Sequence, residues 1–209
     1  MRLFSHVSAL RSLMRDPNAH AGDIAVLKID SFGLDARPAL RDHLAPVRNW
    51  LPAIDVAALR ALPAGTFGHA YAGFLDAHGL SPFVLTDAVS HDIRSRNAYG
   101  IRYATTHDMF HVLLGFGPDW VGEMGVLAFT CGQGYNRVLW AQAAFAWLLY
   151  PLWSGFAVGA LREAWDRGYR AGLEAPFMLG ERLEDQFGEP LEAVRARYGL
   201  VAPEVGQAA

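Results

Sequence analysis

Apolar residues recur mainly three and four positions apart along this chain, the spacing of one face of an α-helix, and strand-like alternation never persists beyond a few residues. From Ile101 onward, Pro118, Pro151 and Pro176 interrupt what would otherwise be long helices. The pattern predicts an all-α fold, a single-domain helical bundle over residues 1–209. At the start, Leu3, Val7, Leu10, Leu13 and Met14 keep helical spacing, Arg2, Arg11 and Arg15 supply a basic side, and Asp16-Pro17 closes the pattern. This reads as an amphipathic helix docked on the core, the alternative being a helix laid on an anionic membrane surface. Ala36 to Pro63, with four prolines, predicts a connector carrying brief helices such as Asp55 to Leu62. Thr66 then caps a helix through His69, Tyr71, Phe74 and Leu75 that ends at His78-Gly79.

Residues 138–161 carry no charge, a length able to span a bilayer. Gln142, the central Pro151 and Ser154-Gly155 argue against a span, which would also leave the His107 to Glu123 region and the C-terminal third on opposite sides of a membrane. The favoured expectation is a buried pair of helices broken at Pro151 that walls a core or an apolar cavity.

The composition narrows the function. A chain of 209 residues, 52% apolar, can bury a substantial core. A net charge of −3 lacks the basic footprint that a phosphate backbone demands, so nucleic acid is not an expected partner. The lone Cys131 can form no internal disulfide, and Arg11 and Arg15 interrupt the first apolar run before a signal-peptide core builds up. A cytoplasmic protein is expected.

The chemistry concentrates in Thr106-His107-Asp108-Met109-Phe110-His111. Four residues apart on a helix, His107 and His111 can turn their imidazoles to one ion, and Asp108 lies at the edge of that face. Gly115-Phe116-Gly117-Pro118 must stop the helix, Asp119 is placed to cap the next one, and Glu123 falls in its first turns. If the two helices return antiparallel, Glu123 closes a site of two imidazoles and two carboxylates. Such donors suit zinc, and equally ferrous iron, manganese or cobalt. The bland reading is that an H-x-x-x-H pair arises by chance in a chain with eight histidines. A second pair, His91-Asp92, invites a phosphohydrolase reading, but no basic cradle accompanies it, and Arg94 and Arg96 read as a solvated face or a salt bridge. Cys131 reads as a small buried hydrophobe.

His107-Asp108-x-x-His111, eleven residues, then Glu123 resembles the signature of the coenzyme Q biosynthesis protein four family. Leu62-Pro63-x-Gly65-Thr66-x-Gly68-x-x-Tyr71-Ala72, Asp76-x-x-Gly79-Leu80-Ser81-Pro82, Trp165 to Gly172 and Pro190-Leu191-x-x-Val194-Arg195 extend the likeness over about residues 55–200, leaving 1–54 as an N-terminal helix and connector. The resemblance implies an all-α protein that holds a divalent metal, zinc first, through His107, Asp108, His111 and Glu123. It also implies oxidative decarboxylation of a polyprenylated hydroxybenzoate at ring carbon one, making the chain a lyase. The alternative is a scaffold that binds the prenyl lipid and performs no chemistry. The expected partners are the polyprenylated quinone precursor, other quinone-biosynthesis enzymes, further copies of the chain and, peripherally, the inner (cytoplasmic) membrane.

Overall fold

The computed structural model describes residues 6–16 and 20–201. These residues are all α, with a lone bridge between Thr66 and Pro190 in place of any sheet. Helix α1 (Val7–Leu13) and α2 (Ala21–Ser31) lead into a connector of 3-10 turns at Pro38–Leu40 and Asp42–Val47, followed by α3 (Val56–Arg60). Then come α4 (Phe67–His78), α5 (His91–Arg96), α6 (Ala98–Leu114), α7 (Trp120–Gly132), α8 (Leu139–Trp153), α9 (Val158–Glu174) and α10 (Leu191–Arg197), with further 3-10 turns at Met178–Gly180 and Leu183–Gln186.

Side-chain oxygens set the helix starts. Asp55, Thr66, Ser90, Asn97 and Asp119 each accept from a backbone N–H in the first turn of α3, α4, α5, α6 and α7. Gly79 and Gly115, both left-handed at φ 63° and 67°, end α4 and α6. Helix α1 docks through Leu13, which is buried with Ile24, Val26 and Leu27 of α2 against Val89, Ile93, Ile101 and Ala104, and through the half-buried Leu10, whereas Val7 and Met14 of the expected apolar stripe are exposed; Leu3 and Arg2 lie outside the described residues. Helix α2, which the hydrophobic pattern did not single out, is tied down by two buried carboxylates. Asp23 accepts from the Thr86 backbone N–H and hydroxyl, and Asp30 takes a bidentate pair from Arg96 and a bond from Asn97.

The main core is built on α4, α6, α7 and α9. Helices α7 and α9 pack backbone to backbone, because their facing positions are glycines. A Cβ at Gly168 would stand 2.1 Å from the Gly125 carbonyl oxygen, and one at Gly172 would stand 2.2 Å from that of Phe129.

The uncharged segment departs from expectation in two ways. Helix α8 runs through Pro151 to Trp153, since proline there removes one backbone bond and keeps a helical φ. The chain turns only where Gly155 and Phe156 adopt φ 65° and 64°. Nor is the segment a buried pair: only Leu139, Ala143 and Ala146 of α8 are buried, and Phe145, Leu148 and Leu152 are exposed. Among the described residues no helix is long and apolar enough to cross a membrane.

Candidate metal centre

Helix α6 carries His107 and His111 one turn apart, and both of its ends are anchored. Asn97 accepts from Gly100 N–H at 2.8 Å at the start. At the other end, Arg195 of α10 donates to the carbonyls of Leu113 and Val112 at 2.9 and 2.8 Å, and Arg167 of α9 donates to that of Leu114 at 3.2 Å. These guanidinium groups satisfy last-turn carbonyls and oppose the negative end of the helix. Arg167 also lies over the Phe116 ring at 3.8 Å, which fixes the turn between α6 and α7.

That turn delivers Glu123. Asp119 Oδ1 accepts from Val121 and Gly122 N–H at 2.9 and 2.8 Å. Gly122 lets the first turn of α7 close on Gly117, whose carbonyl oxygen would be 1.8 Å from any Cβ placed there. The carboxylate thereby returns over α6, with Oε2 3.5 Å from His107 Nε2 and Oε1 3.4 Å from His111 Nε2. One donor atom from each of His107, His111 and Glu123 falls within 4.8 Å of the others. Asp108 does not join that group. Its Oδ1 stands 3.3 Å from His107 Nδ1, the ring nitrogen that does not face Glu123, where a carboxylate orients the imidazole.

Imidazoles and a carboxylate set the electrostatics of the cluster. Burial pulls against the charged form of His107, but hydrogen bonds to Asp108 and Glu123 outweigh it and push the imidazole up to about 10. Burial likewise opposes the Glu123 carboxylate, yet His107 and His111 hold it well below the usual range. His111 is 1% exposed, and neither of its ring nitrogens has an aligned hydrogen-bond partner, its contact with Glu123 being too poorly directed. A buried imidazole with both nitrogens unsatisfied is costly unless a ligand occupies one of them. The donor set and the unpartnered His111 fit a divalent cation.

Aromatic rings wall the cluster. Phe74 stacks on His111 at 5.6 Å between centroids, and Tyr103 lies 6.1 Å from His107. Burial raises the Tyr103 phenol, and the Glu123 charge adds to it. These rings, with Arg167 and Arg195 at the helix end, were not singled out by the sequence reading, because nothing in their local spacing marks them. Elsewhere, His91 and Asp92 lie exposed on α5, and Arg96 bonds Asp92 and Asp30 as a salt bridge. Burial pushes the Cys131 thiol up to about 12, which suits an inert core residue.

Two facing helices that bring imidazoles and a carboxylate to one point define a class of α-helical proteins with a site inside the bundle. The sequence model of the family described as coenzyme Q (ubiquinone) biosynthesis protein Coq4 matches residues 45–204, and the chain belongs to that family. It is similar to the mitochondrial ubiquinone biosynthesis protein COQ4 homologue of Bos taurus, 30% identical over 160 residues that cover 73% of this chain and 57% of the bovine one. The Xenopus tropicalis homologue, also named as mitochondrial, is 28% identical over 212 residues, covering 96% of this chain and 74% of that one. The chain thus spans little more than half the length of the bovine relative. A solved protein from Nostoc punctiforme, provisionally named for ubiquinone biosynthesis, shares the fold with a TM-score of 0.62 at 23% identity, over 94% of this chain and 95% of that one.

Proposed function

We propose that this chain is a metal-dependent decarboxylase of ubiquinone biosynthesis, acting at ring carbon one of a polyprenylated hydroxybenzoate. The observation that carries the reading is the buried, doubly unpartnered His111 facing His107 and Glu123, in a chain of the coenzyme Q biosynthesis family. His107, His111 and Glu123 would hold the cation, with Asp108 either orienting His107 or swinging in as a fourth donor. Zinc ranks first, and ferrous iron, manganese and cobalt suit the same nitrogen and oxygen donors. When bound, the metal supplies a Lewis acid that offsets the charge developing as carbon dioxide departs.

The chain's own residues do the rest. Glu123 stays ionised between two imidazoles, Asp108 fixes the His107 ring, and Phe74 and Tyr103 give the cluster apolar walls that keep its field unscreened. The electron pair of the broken carbon–carbon bond is left on the ring, where a proton or, with dioxygen as oxidant, a hydroxyl group replaces the carboxyl. The test is to incubate purified, metal-loaded protein with a prenylated hydroxybenzoate under air and follow carbon dioxide release by mass spectrometry. Release that requires both metal and Glu123 supports the reading. Tight binding of the prenylated compound with its carboxyl group retained would replace it with a lipid-binding scaffold.

A further inference from the structure

We infer that Tyr103 and Tyr150 form a hydroxyl-recognising pair beside the metal cluster, so that the ring it takes must carry a free phenolic hydroxyl. Tyr103 lies four residues before His107 on α6, one turn away on the same face, with its ring 6.1 Å from the imidazole. Tyr99, a further turn back, packs against it at 5.9 Å and fixes its direction. Tyr150 reaches the same place from α8. Its ring lies 5.1 Å from that of Trp120, which opens α7 one turn before Glu123, and 5.9 Å from that of Trp153. Glu123 acts electrostatically on both phenols, and the phenols act on each other, so the two gather at the Glu123 side of the cluster.

Their surroundings separate them from the tyrosines that only pack. Tyr71, Tyr99 and Tyr135 are buried, whereas Tyr103 and Tyr150 keep part of their surface open. No group among the described residues hydrogen-bonds the Tyr150 phenol. The Tyr103 phenol has the Thr130 hydroxyl beside it, whose own proton goes to the Leu127 carbonyl at 2.8 Å. Burial and the Glu123 charge raise both phenols, so each keeps its proton at neutral pH and can donate it. A phenol offers one donor and two lone pairs, and so does a hydroxyl on a substrate ring; two phenols can therefore meet both its oxygen and its proton. A methyl ether keeps the oxygen and loses the proton, and a ring without that oxygen leaves both phenols unmatched among aromatic walls. A carboxylate on the same ring would go to the cation instead, since a divalent charge attracts it more strongly than two neutral donors do. The inference rests on the reading of the substrate as a hydroxybenzoate, and adds which group on its ring this chain selects.

The experiment is calorimetric titration of the zinc-loaded full chain with three compounds that differ at one position: a geranyl hydroxybenzoate, its methyl ether and the benzoate without that oxygen. Wild type should bind the hydroxyl compound at least about tenfold more tightly than the other two, the combined effect of two neutral hydrogen bonds. Tyr103→Phe and Tyr150→Phe should each reduce that preference by about threefold or more, and the double variant should abolish it. All three variants should bind the oxygen-free compound as wild type does, with zinc affinity and melting temperature unchanged. A phenol that only packs would leave the preference intact on substitution. Tyr150→Phe carries the test by itself if Tyr103→Phe fails to fold, because α8 stands outside the main core helices. Equal binding of the three compounds by wild type, or a preference that survives the double substitution, overturns the inference. So does the absence of binding by all three, which strikes the substrate reading with it. A hydroxyl preference that depends on the two phenols, without release of carbon dioxide, supports the pair and strikes the decarboxylase reading alone.

Discussion

Gly168→Ala probes the contact that holds Glu123 over α6. The added Cβ would sit 2.1 Å from the Gly125 carbonyl oxygen, where an ordinary contact is 3.4 Å or more, so α7 and α9 must part by more than about 1 Å along a rigid backbone. Overpacking of this kind costs about 1–3 kcal/mol and sometimes more, and the gain from alanine in a helix returns about 1 kcal/mol at most. A net loss of about 1–2 kcal/mol lowers the melting temperature by about 2–8 °C for a chain of this size. Gly73 supplies the control, because it lies inside α4 with nothing within 4 Å of its Cβ position, and Gly73→Ala should hold or raise the melting temperature. Since Glu123 rides on α7 just before Gly125, the displaced helix should also bind zinc more weakly. Calorimetry and zinc titration of the two variants decide the matter. Gly168→Ala melting at the wild-type temperature, with metal uptake intact, would refute the close-packed account of this interface.

Further expectations are as direct. Metal uptake must displace a proton from His107, whose imidazole Asp108 and Glu123 push up to about 10; affinity should therefore rise close to tenfold per pH unit between pH 6 and 9, read by competition with a chromogenic chelator. Glu123→Gln keeps the volume and removes the charge, so metal affinity should drop about 10–100-fold while the circular dichroism melt barely moves. Asp30, which burial would raise, is instead lowered to about 2 by Arg96, His6 and Asn97. Its contribution, on the order of 2 kcal/mol, is present above pH 4 and lost as pH falls through 2, and acid unfolding of Asp30→Asn should lack that step. Asp119→Ala should cost about 1 kcal/mol in urea unfolding, because two N–H groups at the start of α7 lose their acceptor.

The all-α class, the start and stop of α4, the stop of α6 at Gly115 and the cap of α7 at Asp119 were legible in the sequence, because each depends on groups within a few residues of one another. A hydroxyl or carboxylate reaches the N–H groups two or three positions on, and a glycine accepts the left-handed conformation, whatever the rest of the chain does. The pairing of His107 with His111 is of the same kind, since one turn of helix is enough to align them. Helix α2 escaped notice because Asp23 and Asp30 look like surface residues until Thr86, Arg96 and Asn97, more than sixty positions away, come to meet them.

Tertiary structure alone decided the rest. The return of Glu123 onto the histidines needs Gly122 against Gly117 and the glycine seam between α7 and α9, and a glycine in sequence does not say what approaches it. Asp108 lies next to His107 in the chain, but its rotamer faces Nδ1 rather than Glu123, a choice no spacing rule makes. The uncharged segment was correctly read as helical, yet its hydrophobicity is the same on every side and cannot tell which face meets the core. Packing buries Leu139, Ala143 and Ala146 and leaves Phe145, Leu148 and Leu152 outside, so burial is a property of what the rest of the chain has available to cover a helix, not of the helix's own residues.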